Sequence, residues 1–402
     1  MNADPAKKSP KLAWRIFRFL GNAALALFGL GTLGAFIPQI PALGELGPVL
    51  IAQLGPSLTI LSLVGAIVVF RRWLKLRKRS TLVLAGLAVF ATAGTAYIQA
   101  QQVAVARANG ASIDPVQALF ARSQADDSLR PATFIYAKYD GQNLPIDIYR
   151  PIGQHGAGPT PVFVYIHGGG WNAQTLKQRG ADYRWFAERG YLVISLEYSL
   201  SSEMRHTWDV AQPQLGCALA WVGANAARYG GDPTRLALWG ESAGGNLVLN
   251  VSYMANAGTL KPSCPGTVPH VAATIALYPV ADPERMYRNP DPMVAVFGRM
   301  MTVNYTGGTP EQFPARYKAI ASATYVNAKA PPTLLIVPEA DHLVAPEAAY
   351  DLAERIRAAG VEARLIRMPY AEHGFDLRSG GIGNQLVRQS MLRFLYEHGL
   401  KP

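Results

Sequence analysis

The sequence predicts an α/β domain, a doubly wound and mostly parallel sheet, preceded by an all-α transmembrane region. Three observations carry that expectation. Uncharged runs of spanning length are confined to the first quarter of the 402 residues. From Ala132 onward, short apolar, β-branched segments alternate with helical ones, the pattern of a parallel sheet covered on both faces. The basic charge is unevenly divided: residues 1–110 hold 12 Lys+Arg and 2 Asp+Glu, whereas residues 111–402 hold 26 and 25. The net charge of +11 is therefore no footprint for a polyanion, and no nucleic-acid partner is expected. With 50% apolar residues the chain is no disordered polymer, and with 2 cysteines it is neither a disulfide-dense scaffold nor a four-cysteine zinc site.

The uncharged runs are Phe19 to Ile37, Leu46 to Phe70 and Ser80 to Ala106, of 19, 25 and 27 residues. About 20 helical residues cross a hydrocarbon core. Gln99, Gln101 and Gln102 mark the polar end of the third run. The expected spans are 17–37, 48–70 and 81–100, with Pro48 and Pro56 kinking the second or delaying its start. Lys7, Lys8, Lys11, Arg15 and Arg18 precede the first run, and Arg71, Arg72, Lys75, Arg77, Lys78 and Arg79 separate the second from the third. The loop Pro38 to Glu45 has neither Lys nor Arg. The positive-inside rule then places the N-terminus and residues 71–79 in the cytoplasm and everything after Ala100 outside it. Trp14 and Trp73 sit beside the basic clusters, as interfacial aromatics do. Gly31 and Ala35 offer a small face for helix packing. A cleaved signal peptide or buried soluble helices are the alternatives; the first run lacks an A-x-A site, and basic flanks around three spans disfavour the second.

Residues 1–103 are thus expected to be an anchor, 104–131 a linker, and 132–402 the α/β domain. Within the linker, Asp114-Pro115 reads as an N-cap followed by proline at the first helical position, opening a short helix through Ala121. Strands are expected at Thr133–Tyr136, Pro145–Tyr149, Pro161–Ile166, Tyr191–Leu196, Arg235–Trp239, Val271–Leu277, Pro332–Val337 and Ala363–Met368, the first two as an antiparallel edge. Helices are expected at Ala181–Arg189, Asp209–Tyr229, Ala243–Ala257, Pro346–Ala359 and Gly383–His398. Residues 282–329 break the rhythm and read as a cap insertion.

Two glycine-rich segments carry chemistry. Gly240-Glu241-Ser242-Ala243-Gly244 is a G-x-S-x-G between a strand and a helix, a turn that lifts the serine oxygen clear of the backbone. Alone it is weak in a chain with 38 glycines. His167-Gly168-Gly169-Gly170-Trp171 also follows a strand, and its glycines let backbone N–H groups approach a developing oxyanion. The amides of Gly169, Gly170 and Ala243 form the natural oxyanion set. An acid and a base should follow the serine in that order. Asp341 is the expected acid, with Glu339 and Asp282 as rivals. His373 is the expected general base, with His342 as rival. No H-E-x-x-H cluster is present, so neither a metal nor a cofactor is expected.

With these motifs and Tyr229-Gly-Gly-Asp-Pro-Thr-Arg235, the chain from about Ala132 to Leu400 resembles the α/β-hydrolases of the hormone-sensitive-lipase-like and carboxylesterase group. The resemblance implies a carboxylic ester hydrolase acting through an acyl-enzyme on Ser242. It also implies that His167 supports the oxyanion loop rather than reacting. Many relatives carry Tyr-Arg-Leu where this chain has Tyr198-Ser199-Leu200, which leaves the local packing open. Trp171 and the methionine-rich 293–301 stretch fit either an acyl pocket or ordinary packing. Cys217 and Cys264, expected outside the cytoplasm, fit either a bridge or two free thiols.

The expected substrate is a small-molecule, lipid or glycan ester, and the expected setting is multi-pass in a lipid bilayer, a bacterial inner membrane with a periplasmic domain. An acyltransferase using the same acyl-enzyme is the alternative activity. A non-catalytic binding protein on this fold is a third reading, disfavoured because every triad candidate is present. Acyl length, alcohol group and oligomeric state are not readable.

Overall fold

The computed structural model describes residues 10–126, 128–153 and 158–402. Lys7 and Lys8 lie outside the described residues. Three helices come first: α1 (Pro10–Phe36), α2 (Leu43–Leu76) and α3 (Arg79–Ala108). Each is long and apolar enough to cross a membrane. All three outrun the spans read from hydropathy. Apolar composition bounds the greasy stretch, whereas Leu, Arg, Gln and Ala at its flanks are good helix formers and carry the helix onward. At 1.5 Å per residue α2 is about 50 Å long. Pro48 and Pro56 both lie inside it, and the helix begins before them.

Small residues let the three helices approach closely. A Cβ at Gly47 would collide with the Gly31 carbonyl, one at Gly34 with the Leu43 carbonyl, and one at Gly29 would sit 3.1 Å from the Leu87 carbonyl. Across α2 and α3, Gln99 Nε2 donates to Thr59 Oγ1 at 2.7 Å and Thr92 Oγ1 to Ser62 Oγ at 3.0 Å. The order is up, down, up. Arg15, Arg18 and residues 71–79 therefore share one end of the bundle, and the sheet domain sits at the other.

The segment after α3 forms α4 (Pro115–Leu119). Asp114 Oδ1 accepts from the N–H groups of Val116 (2.8 Å) and Gln117 (3.1 Å), capping α4 with Pro115 in its first turn. There follow β1 (Ala132–Tyr139), β2 (Gln142–Tyr149), β3 (Thr160–Ile166), α5 (Gly180–Ala187), β4 (Leu192–Leu196), α6 (Ala211–Asn225), β5 (Gly231–Glu241), α7 (Ala243–Ala257) and β6 (Ala273–Leu277). The stretch 282–329 holds α8 (Pro283–Tyr287), α9 (Ala295–Thr306) and α10 (Pro314–Ile320). Then come β7 (Thr333–Pro338), α11 (Glu347–Ala358), β8 (Ala363–Met368) and α12 (Ile382–Glu397).

Among the described residues eight strands make one sheet, in the order β1-β2-β4-β3-β5-β6-β7-β8. β1 and β2 pair antiparallel, as does β2 with β4, and the remaining neighbours are parallel. β3 is buried along its length because both faces are covered. Its side chains alternate. Val162, Val164 and Ile166 enter the core beneath α6, α7 and α11, while Phe163 and Tyr165 enter the core beneath α5 and α12. Ala106 of α3 and Ala118 of α4 are buried in that second core. Ala106, Ala111 and Ala118 thus seat the end of α3 and parts of the segment between α3 and β1 on the sheet.

Cys217 of α6 is bonded to Cys264, 47 residues on. Closing a loop of that length contributes about 4 kcal/mol in the chain-entropy account.

Candidate active site

Ser242 lies between β5 and α7, at φ 53° and ψ −120°. That strain is tolerated because the surroundings leave one path for the chain. A Cβ at Gly244 would strike the carbonyls of Ile166 and His167, and the Ser242 N–H donates to the Leu277 carbonyl at 2.9 Å. The turn is a consequence of backbone contact between neighbouring strand ends, which is why glycines flank the serine.

The three expected triad residues lie in one hydrogen-bonded line. His373 Nε2 is 3.0 Å from Ser242 Oγ, and His373 Nδ1 is 2.7 Å from Asp341 Oδ2. Asp341 Oδ1 accepts from the N–H groups of Leu343 (3.0 Å) and Val344 (2.8 Å), so the carboxylate is aimed by the turn that follows β7. Burial opposes a charged His373 ring, but Asp341 outweighs it, with Glu372 and Asp376 adding, and the ring titrates above the ordinary histidine value. The rivals are engaged elsewhere. Asp282 caps α8 through the Arg285 N–H at 3.1 Å, and Glu339 pairs with Arg367 at 2.8 Å. His342 binds Glu372 through Nδ1 and the Pro38 carbonyl through Nε2, the latter at 2.9 Å.

Opposite the serine, the segment after β3 turns back on itself. Gly169 and Gly170 have φ of 87° and 60°, and the N–H groups of Asn172 and Ala173 both donate to the Gly169 carbonyl. A Cβ at Gly169 would meet the Ala173 carbonyl, one at Gly170 the Met301 side chain. Among the described residues no backbone carbonyl accepts from the N–H groups of Gly169, Gly170 or Ala243. His167 braces this loop. Its Nε2 is 2.6 Å from Glu197 Oε1, and its ring stacks on Tyr198 at 4.4 Å. Tyr198 Oη donates to the carbonyls of His167 (3.1 Å) and Gly168 (3.2 Å). At Ser199, the N–H donates to Gln214 Oε1 at 3.0 Å and Gln214 Nε2 returns a bond to Ser199 Oγ at 2.9 Å. Trp171 is fully buried and stacks on Tyr305 of α9 at 4.5 Å, so it packs the loop against the cap.

The sequence reading missed a buried hub. Arg179 pairs with Glu241, with Asp376 at 2.7 Å and with Asp182 at 3.2 Å, and donates to Tyr278 Oη at 2.7 Å. Tyr278 Oη donates in turn to Asp376 Oδ1 (2.8 Å), and its ring packs edge-on to His373 at 4.7 Å. Tyr165 Oη donates to Glu241 Oε1 at 2.8 Å. One guanidinium thus ties the residue before Ser242 to the residue three after His373. The only sequence signal was an acidic residue inside the serine motif, whose partner lies 62 positions away.

The BD-FAE family profile matches residues 146–356. Esterase LipQ of Mycobacterium tuberculosis is 28% identical over 259 residues, 63% of this chain and 59% of that one. Carboxylesterase NlhH of the same species is 37% identical over 124 residues, 29% of this chain and 36% of that one. The chain thus spans less than two thirds of the length of these curated relatives. Among solved structures, a thermophilic esterase of Thermogutta terrifontis, Est2 with propionate bound, is similar with a TM-score of 0.56 and 25% identity, over 67% of this chain and 95% of that one. A profile match over half the chain and a shared sheet architecture lead to one conclusion: the chain belongs to the BD-FAE family, on the α/β-hydrolase fold.

Proposed function

We propose that the chain is a membrane-anchored serine hydrolase that cleaves carboxylic esters through an acyl-enzyme on Ser242. The observation that carries this reading is the line Ser242–His373–Asp341, with contacts of 3.0 and 2.7 Å, beside a glycine loop in which no backbone carbonyl accepts from the amides of Gly169 and Gly170, nor from that of Ala243, among the described residues. Ser242 Oγ attacks the ester carbonyl carbon while His373 Nε2 takes its proton. The carbonyl oxygen becomes an oxyanion held by the three amides. The intermediate collapses, the bond to the alcohol oxygen breaks, and His373 returns the proton to that oxygen. Water, deprotonated by His373, then attacks the acyl carbonyl; the bond to Ser242 Oγ breaks, the acid leaves, and His373 returns the proton to Ser242 Oγ. Asp341 keeps the imidazole in the tautomer that presents Nε2 to the serine. The esterase names of the relatives support this activity.

The three apolar helices serve as the anchor, residues 132–402 as the hydrolase unit, and 282–329 as its cap. The basic flanks at the far end of the bundle support a cytoplasmic N-terminus and an extracytoplasmic hydrolase domain. The Cys217–Cys264 bond supports the same side, since disulfides persist in oxidising compartments.

A short p-nitrophenyl ester tests the activity. Ser242→Ala should lower kcat by several orders of magnitude, and a fluorophosphonate should label the wild type alone. Equal turnover by wild type and variant would end this reading. Product analysis with an alcohol present separates hydrolysis from acyl transfer.

A further inference from the structure

The loops that carry the catalytic histidine and acid rest directly on the apolar helices. Gln53 of α2 donates to the carbonyl of Gly374, the residue after His373, at 3.1 Å. Tyr370 packs between Phe36 of α1 (5.4 Å) and Tyr97 of α3 (6.2 Å). Gln102 donates to the Pro369 carbonyl at 3.1 Å, and His342, next to Asp341, reaches the Pro38 carbonyl in the α1–α2 turn. If α1–α3 span a bilayer, the serine and histidine sit at its surface, near the depth where lipid ester carbonyls lie.

The cap reaches the same level. Asn289 donates to the carbonyls of His342 and Leu343, and Asp291 lies against Glu45 at the start of α2. Asp291 Oδ1 then accepts from the N–H groups of Met293 (2.8 Å) and Val294 (3.2 Å) just ahead of α9. A cleft of about 840 Å³ has both Pro38, Gln39 and Pro41 of the turn and Pro290, Asp291 and Pro292 of the cap in its walls.

α9 has two apolar faces at helical spacing. Gly298, Thr302 and Tyr305 are buried, and Met301 beside them lies over Gly170 of the oxyanion loop. On the other side Met293, Val296, Phe297 and Met300 are exposed by 48, 60, 51 and 45%, with Arg299 at the edge. Large apolar side chains repeated along one exposed helix face are what an interfacial helix presents, with a basic residue to reach the headgroups. A second exposed pair, Val116 and Phe120, flanks α4, whose Leu119 carbonyl accepts from Ser57 of α2 at 3.3 Å.

We propose that the outer face of α9 docks on the bilayer that holds α1–α3, and that the ester consumed at Ser242 is itself carried in that bilayer, its acyl chain leaving the leaflet beneath the cap. This rests on the hydrolase and anchor readings above. The occupant is lipid because the segment leading into the patch is seated on the end of the apolar bundle: Asp291, two residues before Met293, lies against Glu45, and Pro290 to Pro292 share a cleft with Pro38, Gln39 and Pro41. A partner protein would have no reason to share that level.

The full chain, reconstituted in phosphatidylcholine vesicles, tests both parts. With Phe297→Trp, brominated acyl chains should quench a share of the indole emission beyond that quenched in wild type, and it is this added share that reports on the new indole. Phe297→Ser with Met300→Ser should lower kcat/KM at least about tenfold for a long-chain p-nitrophenyl ester dissolved in the vesicles, a floor set by the partial exposure of both side chains. The same double variant should leave water-soluble p-nitrophenyl acetate turnover unchanged. An unquenched indole overturns the docking, as does quenching by a soluble partner's presence alone. Equal loss on both esters overturns the substrate assignment. Ser242→Ala turning over the soluble ester as fast as wild type would instead overturn the hydrolase reading, an outcome these arms keep separate.

Discussion

The two halves of the site are held in place by different physics. The serine turn and the oxyanion loop are shaped by backbone against backbone, with His167, Glu197 and Tyr198 bracing the loop from its own neighbourhood. Gly240, Gly244 and Gly169 each stand where a Cβ would run into a carbonyl. The histidine and acid are fixed by side chains reaching across the fold. Arg179 holds Asp376 and Glu241, His342 holds Glu372, and Gln53 and Gln102 hold the loop from the helical bundle. The first half is local and steric. The second is electrostatic and long-range, so it should fail in a different way and under different conditions.

The charge-held half should break hardest. Arg179→Met leaves Asp182, Glu241 and Asp376 facing one another in a buried space with their shared cation gone. Removing one partner of a buried ion pair costs about 3–5 kcal/mol. Chemical unfolding of the full chain in detergent should show a loss of that size. A loss under about 1 kcal/mol would mean the hub is not what ties the two loops together.

The steric half should break more locally. Gly169→Ala puts a methyl against the Ala173 carbonyl at a φ of 87°, where L-residues are strained. The loop can shift, so stability should fall by only about 1–3 kcal/mol. The shift moves an oxyanion donor, so kcat should fall about 10²- to 10³-fold. A kcat near wild type with stability lost would remove the Gly169 amide from the oxyanion set.

The contrast also explains what a reader of the sequence can see. Steric requirements write themselves as glycine beside the reacting residue, so Ser242 and the His167–Trp171 segment stand out in order along the chain. His373 and Asp341 stand out because each lies in the segment just beyond a strand's C-terminal end, where sites in open α/β sheets form. The sheet is legible for the same reason, in alternating apolar segments whose first pair forms its antiparallel edge. Arg179 is illegible. Asp182, three residues on, reads as an ordinary surface pair, and the other acidic partners lie 62 and 197 positions away, so nothing near Gln178-Arg179-Gly180 marks a charge headed for the interior. The run of α3 past Gln102 is illegible too. A glutamine that ends an apolar stretch looks like the end of a span, yet here it is a donor to Pro369 on a helix continuing to Ala108.

The smallest effect sharpens the comparison most, because it sets the long-range half against pH. The Glu372 bond, with the Pro38 carbonyl and the charges of Glu372 and Asp291 adding, outweighs burial and raises His342 to about 9. Glu45, at the start of α2, also faces the ring. Burial raises the Glu372 carboxyl, and the His342 bond opposes that rise. A folded-state pKa above the unfolded value stabilises the folded chain fully below about pH 6.5. That contribution is lost as pH rises through about 9. It is on the order of 1 kcal/mol once solvent screening is allowed for. Melting of the full chain in detergent should therefore decline between pH 7 and 10 more in wild type than in His342→Gln. Because His342 also grips the α1–α2 turn, the decline should be accompanied by faster proteolysis at residues 38–42. Parallel slopes in wild type and variant would show that the contact between bundle and site carries no charge.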